Sequence, residues 1–131
     1  MDDQALMKLA EKAAEKSYSP YSHFSVGAAL LCSDGAVYTG CNIENVSFSV
    51  TNCAERTALF SAIADGRRDF VKIAVIAFRH DGRIVLTPPC GVCRQALLEF
   101  CSGDLDILMT DGHNITEAKL NSLMPSAFCE F

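Results

Sequence analysis

The spacing of hydrophobic positions changes several times along the chain, and each change marks an element. Ala5, Leu6, Leu9, Ala10, Ala13 and Ala14 recur at helical intervals, so the first segment is a packing helix with Asp2 or Asp3 as its cap. Ser17 to Phe24 is a loop marked by Ser19-Pro20. Val26 to Cys32 is almost wholly apolar and is expected as a strand buried on both faces. Ser33-Asp34-Gly35 is a tight turn, and Ala36 to Gly40 is the second arm of a hairpin. Asn42 to Asn52 is polar and aperiodic.

A helical period returns at Ala54 and runs to Asp65, with Leu59 and Ile63 on the buried face and Gly66 as the stop. Phe70 to Phe78 is β-branched and apolar, as a central strand should be. Asp81-Gly82 turns the chain, and Arg83 to Leu86 is short and extended. Pro88-Pro89 keeps the approach extended before a helix from Gly91 to Phe100. Leu105 to Met109 is a further strand and Asp111-Gly112 a turn. His113 to Ile115 reads as a last short strand, with Thr116 capping a final helix through Leu123, stopped by Pro125. A helix, a hairpin, then strands and helices in alternation predict an α/β fold: a three-layer α/β/α sandwich over a mixed, roughly five-stranded sheet. Residues 1–131 are expected to form a single domain.

Composition narrows the function. Half the residues are hydrophobic, which argues for a packed core. With 11 basic and 16 acidic residues the net charge is −5, and no basic run occurs. Nucleic-acid backbones need clustered Lys and Arg, so that partner is not expected. No apolar run approaches the roughly 20 residues that span a membrane. The N-terminus is acidic and unlike a signal peptide, and the seven cysteines are odd in number. A reducing cytoplasm is therefore expected, with thiols serving metal binding rather than disulfides.

Three of those thiols carry the chemistry. Cys53-Ala54-Glu55-Arg56 and Pro89-Cys90-Gly91-Val92-Cys93 both lie at predicted helix N-termini, where the helix dipole and free N–H groups favour thiolate over thiol. Cys53, Cys90 and Cys93 form a donor set for one zinc ion, and three protein ligands are the usual number in catalytic zinc sites, which leave one position for water. Glu55 is the candidate proton carrier. Zinc(II) with three thiolates has a net charge of −1, and Arg56, three residues after Cys53, is placed to donate to the sulfurs and withdraw that charge. Cys32, Cys41, Cys101 and Cys129 are expected to be small buried hydrophobes.

The joint pattern resembles the zinc nucleoside and nucleotide deaminase signature, Cys-x-Glu followed by Pro-Cys-x-x-Cys, with Cys53 where many relatives carry His. The likeness extends over Ser19-Pro-Tyr-Ser-His-Phe-Ser-Val-Gly-Ala-Ala-Leu30, Gly40-Cys-Asn-Ile-Glu-Asn-Val-Ser-Phe48, Cys53-Ala-Glu-Arg-Thr-Ala58 and Pro89-Cys-Gly-Val-Cys-Arg-Gln95. It covers nearly the whole chain, which looks like a member of the small, three-cysteine cytidine deaminase family. The resemblance implies zinc-dependent hydrolysis of cytidine and 2′-deoxycytidine to uridine and 2′-deoxyuridine in pyrimidine salvage. It implies Cys53, Cys90 and Cys93 as metal ligands, Glu55 as proton shuttle, and Asn42 and Glu44 on the ribose 3′-hydroxyl. It further implies Phe24 on the pyrimidine, the backbone around Ala54 reading the base, and a homotetramer in which Phe128 completes a neighbour's site. Phe48 stands where relatives often carry Tyr, so if that position contributes a hydroxyl contact across the interface, this chain lacks it. Arg94 and Gln95 are read as structural.

Two alternatives stay open at this level. One is a deaminase of polynucleotides or of a nucleoside-like antibiotic. The other is a structural zinc module with a fourth ligand, such as Cys101 or a His, supplied by folding.

Overall fold

The computed structural model describes all 131 residues. Helix α1 spans Asp3–Ala14, and Asp2 caps it, its carboxylate accepting from the Ala5 N–H at 2.8 Å. The hairpin of β1 (Ser25–Cys32) and β2 (Val37–Cys41) follows, then α2 (Ala54–Ala64) and β3 (Phe70–Phe78). Helix α3 (Gly91–Phe100) leads to β4 (Asp106–Thr110), β5 (Ile115–Lys119) and the short α4 (Leu120–Leu123). The strand order is β2-β1-β3-β4-β5, with β3 and β4 parallel and every other pair antiparallel. The expected mixed five-stranded sheet is thus present.

The two faces of the sheet carry separate cores, which makes the three layers. Leu6, Met7 and Ala10 of α1 pack on Ala29, Ala74, Ile76 and Leu108. On the other face Ala54, Ala58, Leu59 and Ala62 of α2 and Leu97 of α3 pack on Val26, Ala28, Leu30, Ile73, Val75 and Ile107. Leu59 and Leu97 are fully buried, and each such burial contributes about 1.5–3 kcal/mol to holding its helix on the sheet. Both α2 and α3 connect strands that run the same way and progress in the same direction across the sheet. Right-handed crossovers therefore place them on one face.

Gly66 ends α2 as expected. It sits at φ +91, and the N–H groups of Gly66 and Arg67 return to the carbonyls of Ile63 and Ala62. The C-terminal expectation needs correction. Thr116 does not cap a helix: Ile115–Lys119 is β5, paired antiparallel with β4, and the helix is only Leu120–Leu123. His113 and Asn114 belong to the preceding turn, where their N–H groups both donate to Asp111 Oδ1 at 2.8 Å. That turn delivers the next residues alongside β4, whose free edge offers a full ladder of hydrogen bonds, and pairing outweighs a helical preference over so short a run.

Candidate active site

The topology gathers the predicted residues at one end of the sheet. β1 pairs Gly27 with Cys41 of β2 and Ser25 with Phe78 of β3. The start of β1 therefore lies beside the carboxyl ends of β2 and β3. Phe24 precedes β1, Asn42 and Glu44 follow β2, and α2 and α3 both begin at this end. Sites in open α/β sheets lie outside the carboxyl ends of strands for the same reason.

The helix starts bring three sulfurs together. Cys53 is the N-cap of α2, Cys90 the N-cap of α3, and Cys93 lies in the first turn of α3. Their sulfurs all lie within 4.8 Å of one another, and no carboxylate or imidazole joins the group. The Cys53 and Cys90 sulfurs are 3.8 Å apart. Bonds of about 2.3 Å at tetrahedral angles place two sulfurs about 3.8 Å apart, so the residues present fit a zinc ion. The set of three, with Cys101 outside it, fits a three-ligand zinc site better than a closed four-ligand one.

Arg56 reaches the same sulfurs. Its Nε donates to Cys93 Sγ at 3.4 Å and a terminal nitrogen donates to Cys53 Sγ at 3.2 Å. A hydrogen bond from Cys93 draws the Cys53 thiol down to about 5; burial opposes this, and the Arg56 hydrogen bond and charge add to it. Cys93 is shifted upward because it shares its proton with Cys53 and is buried. Glu55 is 4 % exposed. Burial lifts its carboxyl to about 7, and the nearby Cys53 charge acts in the same direction. A carboxyl poised near neutrality beside a metal donor set can both take and give a proton.

A second network surrounds the loop before β1. Asn42 and Glu44 are both buried. Asn42 Oδ1 accepts from the Val26 N–H at 2.9 Å and from the Ser17 hydroxyl, while its Nδ2 donates to the Phe24 carbonyl at 2.8 Å. Glu44 Oε1 accepts from the N–H groups of Tyr21 and Ser22, both at 3.1 Å, and Oε2 accepts from the Ser22 hydroxyl at 2.5 Å. Burial raises the Glu44 carboxyl, but these donors outweigh it and hold it below the ordinary range.

Ala54, fully buried, opens α2, where the first N–H groups have no partner within the helix. Phe128 stands apart. The residue is 66 % exposed, its ring pairs with Phe131, and its carbonyl accepts from Gln95 Nε2 at 2.8 Å. These contacts tie it to the outer side of α3 and not to the thiols.

Sequence reasoning missed Ser17 and Ser22, whose small hydroxyls carry no signal apart from the motif they sit in. Arg94 proves to brace the metal segment: it donates to the Pro89 carbonyl at 2.7 Å and the Leu123 carbonyl at 2.9 Å. Cys32 is buried as expected, Cys41 and Cys101 are only half-buried, and Cys129 is exposed because it lies on the C-terminal tail beyond the core.

Comparison with known proteins agrees with this geometry. The family model described as "Cytidine and deoxycytidylate deaminase zinc-binding region" matches residues 1–109. A cytidine deaminase of Halalkalibacterium halodurans is 51 % identical over 129 residues, 98 % of this chain and 95 % of the relative. One of Sporosarcina psychrophila is 48 % identical over 129 residues, 98 % and 92 % of the two chains. The crystal structure of a cytidine deaminase from Burkholderia pseudomallei superposes with a TM-score of 0.90 at 44 % identity, covering 98 % of this chain and all of that one. Three converging thiols, a buried Glu55 beside them and likeness along nearly the full length place this chain in the cytidine and deoxycytidylate deaminase family.

Proposed function

We propose that this protein, one deaminase domain over residues 1–131, hydrolyses cytidine and 2′-deoxycytidine to uridine and 2′-deoxyuridine. Water adds at C4 of the ring and the exocyclic amine leaves as ammonia. The observation that carries this reading is the convergence of the Cys53, Cys90 and Cys93 sulfurs within 4.8 Å of one another, with Glu55 buried alongside. Bound by those three thiolates, zinc supplies Lewis-acid chemistry that makes water acidic near neutral pH.

The remaining steps belong to the chain. Glu55 takes a proton from the attacking water and delivers it to N3, which makes C4 electrophilic. It then takes the proton of the new C4 hydroxyl and hands it to the amino group, which leaves as ammonia as the C4–N bond breaks and the C4 carbonyl forms. Arg56, donating to two of the sulfurs, offsets the surplus negative charge of three thiolates. The free N–H groups at Ala54 read the base. Phe24 packs on the pyrimidine. Asn42 keeps one Nδ2 hydrogen beyond its bond to Phe24, and Glu44 Oε2 keeps lone-pair capacity beyond its bond to Ser22. Together they present one donor and one acceptor, the complement of a sugar hydroxyl.

Large apolar side chains stand exposed on Phe48, Val50, Phe60, Val92 and Phe128. Apolar side chains of this size left open to water are available for contact with another subunit. We assign them to a homotetramer, with Phe128 reaching a neighbouring site; Phe48 contributes ring area there and no hydroxyl. The seven free cysteines suit the reducing cytoplasm, and no helix is long and apolar enough to cross a membrane.

An ultraviolet assay of cytidine loss tests the reading. Turnover on cytidine that stops on chelation and returns with zinc is expected. Turnover of CMP or a single-stranded oligonucleotide in preference to cytidine would refute the substrate assignment. Sedimentation at a fourfold mass is the expected oligomer result.

A further inference from the structure

The backbone of Phe24 is suspended between two side chains. Its N–H donates to the Ser22 hydroxyl at 3.0 Å, and its carbonyl accepts from Asn42 Nδ2. The Ser22 hydroxyl in turn donates to Glu44 Oε2. Glu44 is itself tied down, since its own N–H donates to the Tyr18 carbonyl at 2.8 Å. Between Ser22 and Phe24 the chain passes through His23 at φ 55, a left-handed conformation that a non-glycine residue holds only when its surroundings enforce it. The loop is exposed at Tyr21, Ser22 and His23, so hydrogen bonds hold those residues, among them the His23 N–H to the Ser19 carbonyl at 3.0 Å, while the Phe24 ring beyond them is half-buried against the core.

We propose that Ser22 is a positioning residue of the substrate site, its hydroxyl coupling Glu44 to the backbone of Phe24 so that sugar contact and base contact move as one unit. This rests on the deaminase reading, in which Phe24 meets the pyrimidine and Glu44 the ribose. Ser22 is suited to the task because a hydroxyl donates one hydrogen bond and accepts another. A methyl side chain in its place could do neither, and would leave the Phe24 N–H without its acceptor. The backbone between His23 and Phe24 would then loosen, and the ring would be set less firmly against the Glu44 end of the site. Glu55 and the thiols lie on other elements, so the chemical step should be untouched.

The test uses the full-length zinc-loaded protein. In Ser22→Ala the KM for cytidine should rise about tenfold or more, the order expected for a lost hydrogen bond to a charged group, with kcat within about twofold of the parent. Ser22→Thr should restore KM. In a Phe24→Leu background Ser22→Ala should raise KM far less, since no aromatic ring remains to be misplaced. Amide hydrogen exchange at Phe24 should accelerate in Ser22→Ala without any substrate present.

An unchanged KM, an equal fold-rise in both backgrounds, or unchanged exchange at Phe24 would overturn the proposal. So would loss of zinc and kcat together with KM, which would make Ser22 a general structural residue. A parent protein inactive on cytidine would sink the deaminase reading instead, and the exchange measurement would still decide the hold of Ser22 on Phe24.

Discussion

Gly40→Ala should damage the metal site without touching a ligand. Gly40 lies under the first turns of α2, the helix that carries Cys53 and Glu55. A Cβ there would sit 2.4 Å from the Ala58 nitrogen, 2.6 Å from the Ala54 carbonyl oxygen and 2.9 Å from Thr57 Cβ. The first two are backbone atoms and cannot swing aside. To regain the 3.4 Å of ordinary contact the helix start must retreat by about 1 Å. Zinc–ligand distances tolerate only about 0.2 Å, and a displacement of about 1 Å at a reacting centre can cost about a hundredfold in rate. Overpacking should also lower stability by about 1–3 kcal/mol.

The expected result is weakened zinc binding by chelator competition, a roughly hundredfold fall in kcat for cytidine, and a lower Tm. Gly103→Ala is the matched control. Its new Cβ would meet only the Asn121 side chain, at 3.1 Å, near α4 at the far end of the sheet, so zinc affinity should hold. If Gly40→Ala kept zinc affinity and kcat within about twofold of the parent, the claim that close seating of α2 sets the site would fail.

Other outcomes follow from the site. Glu55→Gln should keep zinc and fold but lose kcat by about a hundredfold or more, read by ultraviolet assay, because the amide cannot carry a proton. Arg56→Gln should lower zinc affinity or kcat by removing two donors to sulfur; parental values for both would end its role in tuning the metal. Glu44→Gln should cost about 1–3 kcal/mol of stability at neutral pH, because three donors lose a charged acceptor. The folded carboxyl titrates below its ordinary 4.5, so the stabilisation is complete above pH 4.5 and fades as acid passes through the lower folded value. Urea melts of parent and variant should therefore converge in acid, and a gap that widens there would refute the assignment.

Much of this was legible because its signals are local. The Asp2 cap, the Gly66 stop and the switch in period between α1 and β1 depend on residues a few positions apart. The Cys-x-x-Cys pair and Cys-x-Glu likewise state a donor set and a proton carrier at the starts of two helices. The likeness to deaminases needed only residues read in order. Thr116 misled because a good capping residue before a short, weakly patterned run is also a good strand residue, and the deciding term was the free edge of β4. The structural reading of Arg94 agrees with its contacts, but which carbonyls it braces, those of Pro89 and Leu123, is invisible to any side-chain pattern.

By itself the order of residues determined which groups the site draws on: three of the seven thiols, a carboxyl, a guanidinium, and the helices and strands that hold them. Tertiary structure alone decided that they meet. Right-handed crossovers put α2 and α3 on one face, and β2 and β3 point the same way, so both helices start at one end of the sheet. The 3.8 Å between Cys53 and Cys90 is set by that packing, since sulfurs 37 positions apart in sequence have no local reason to be near one another.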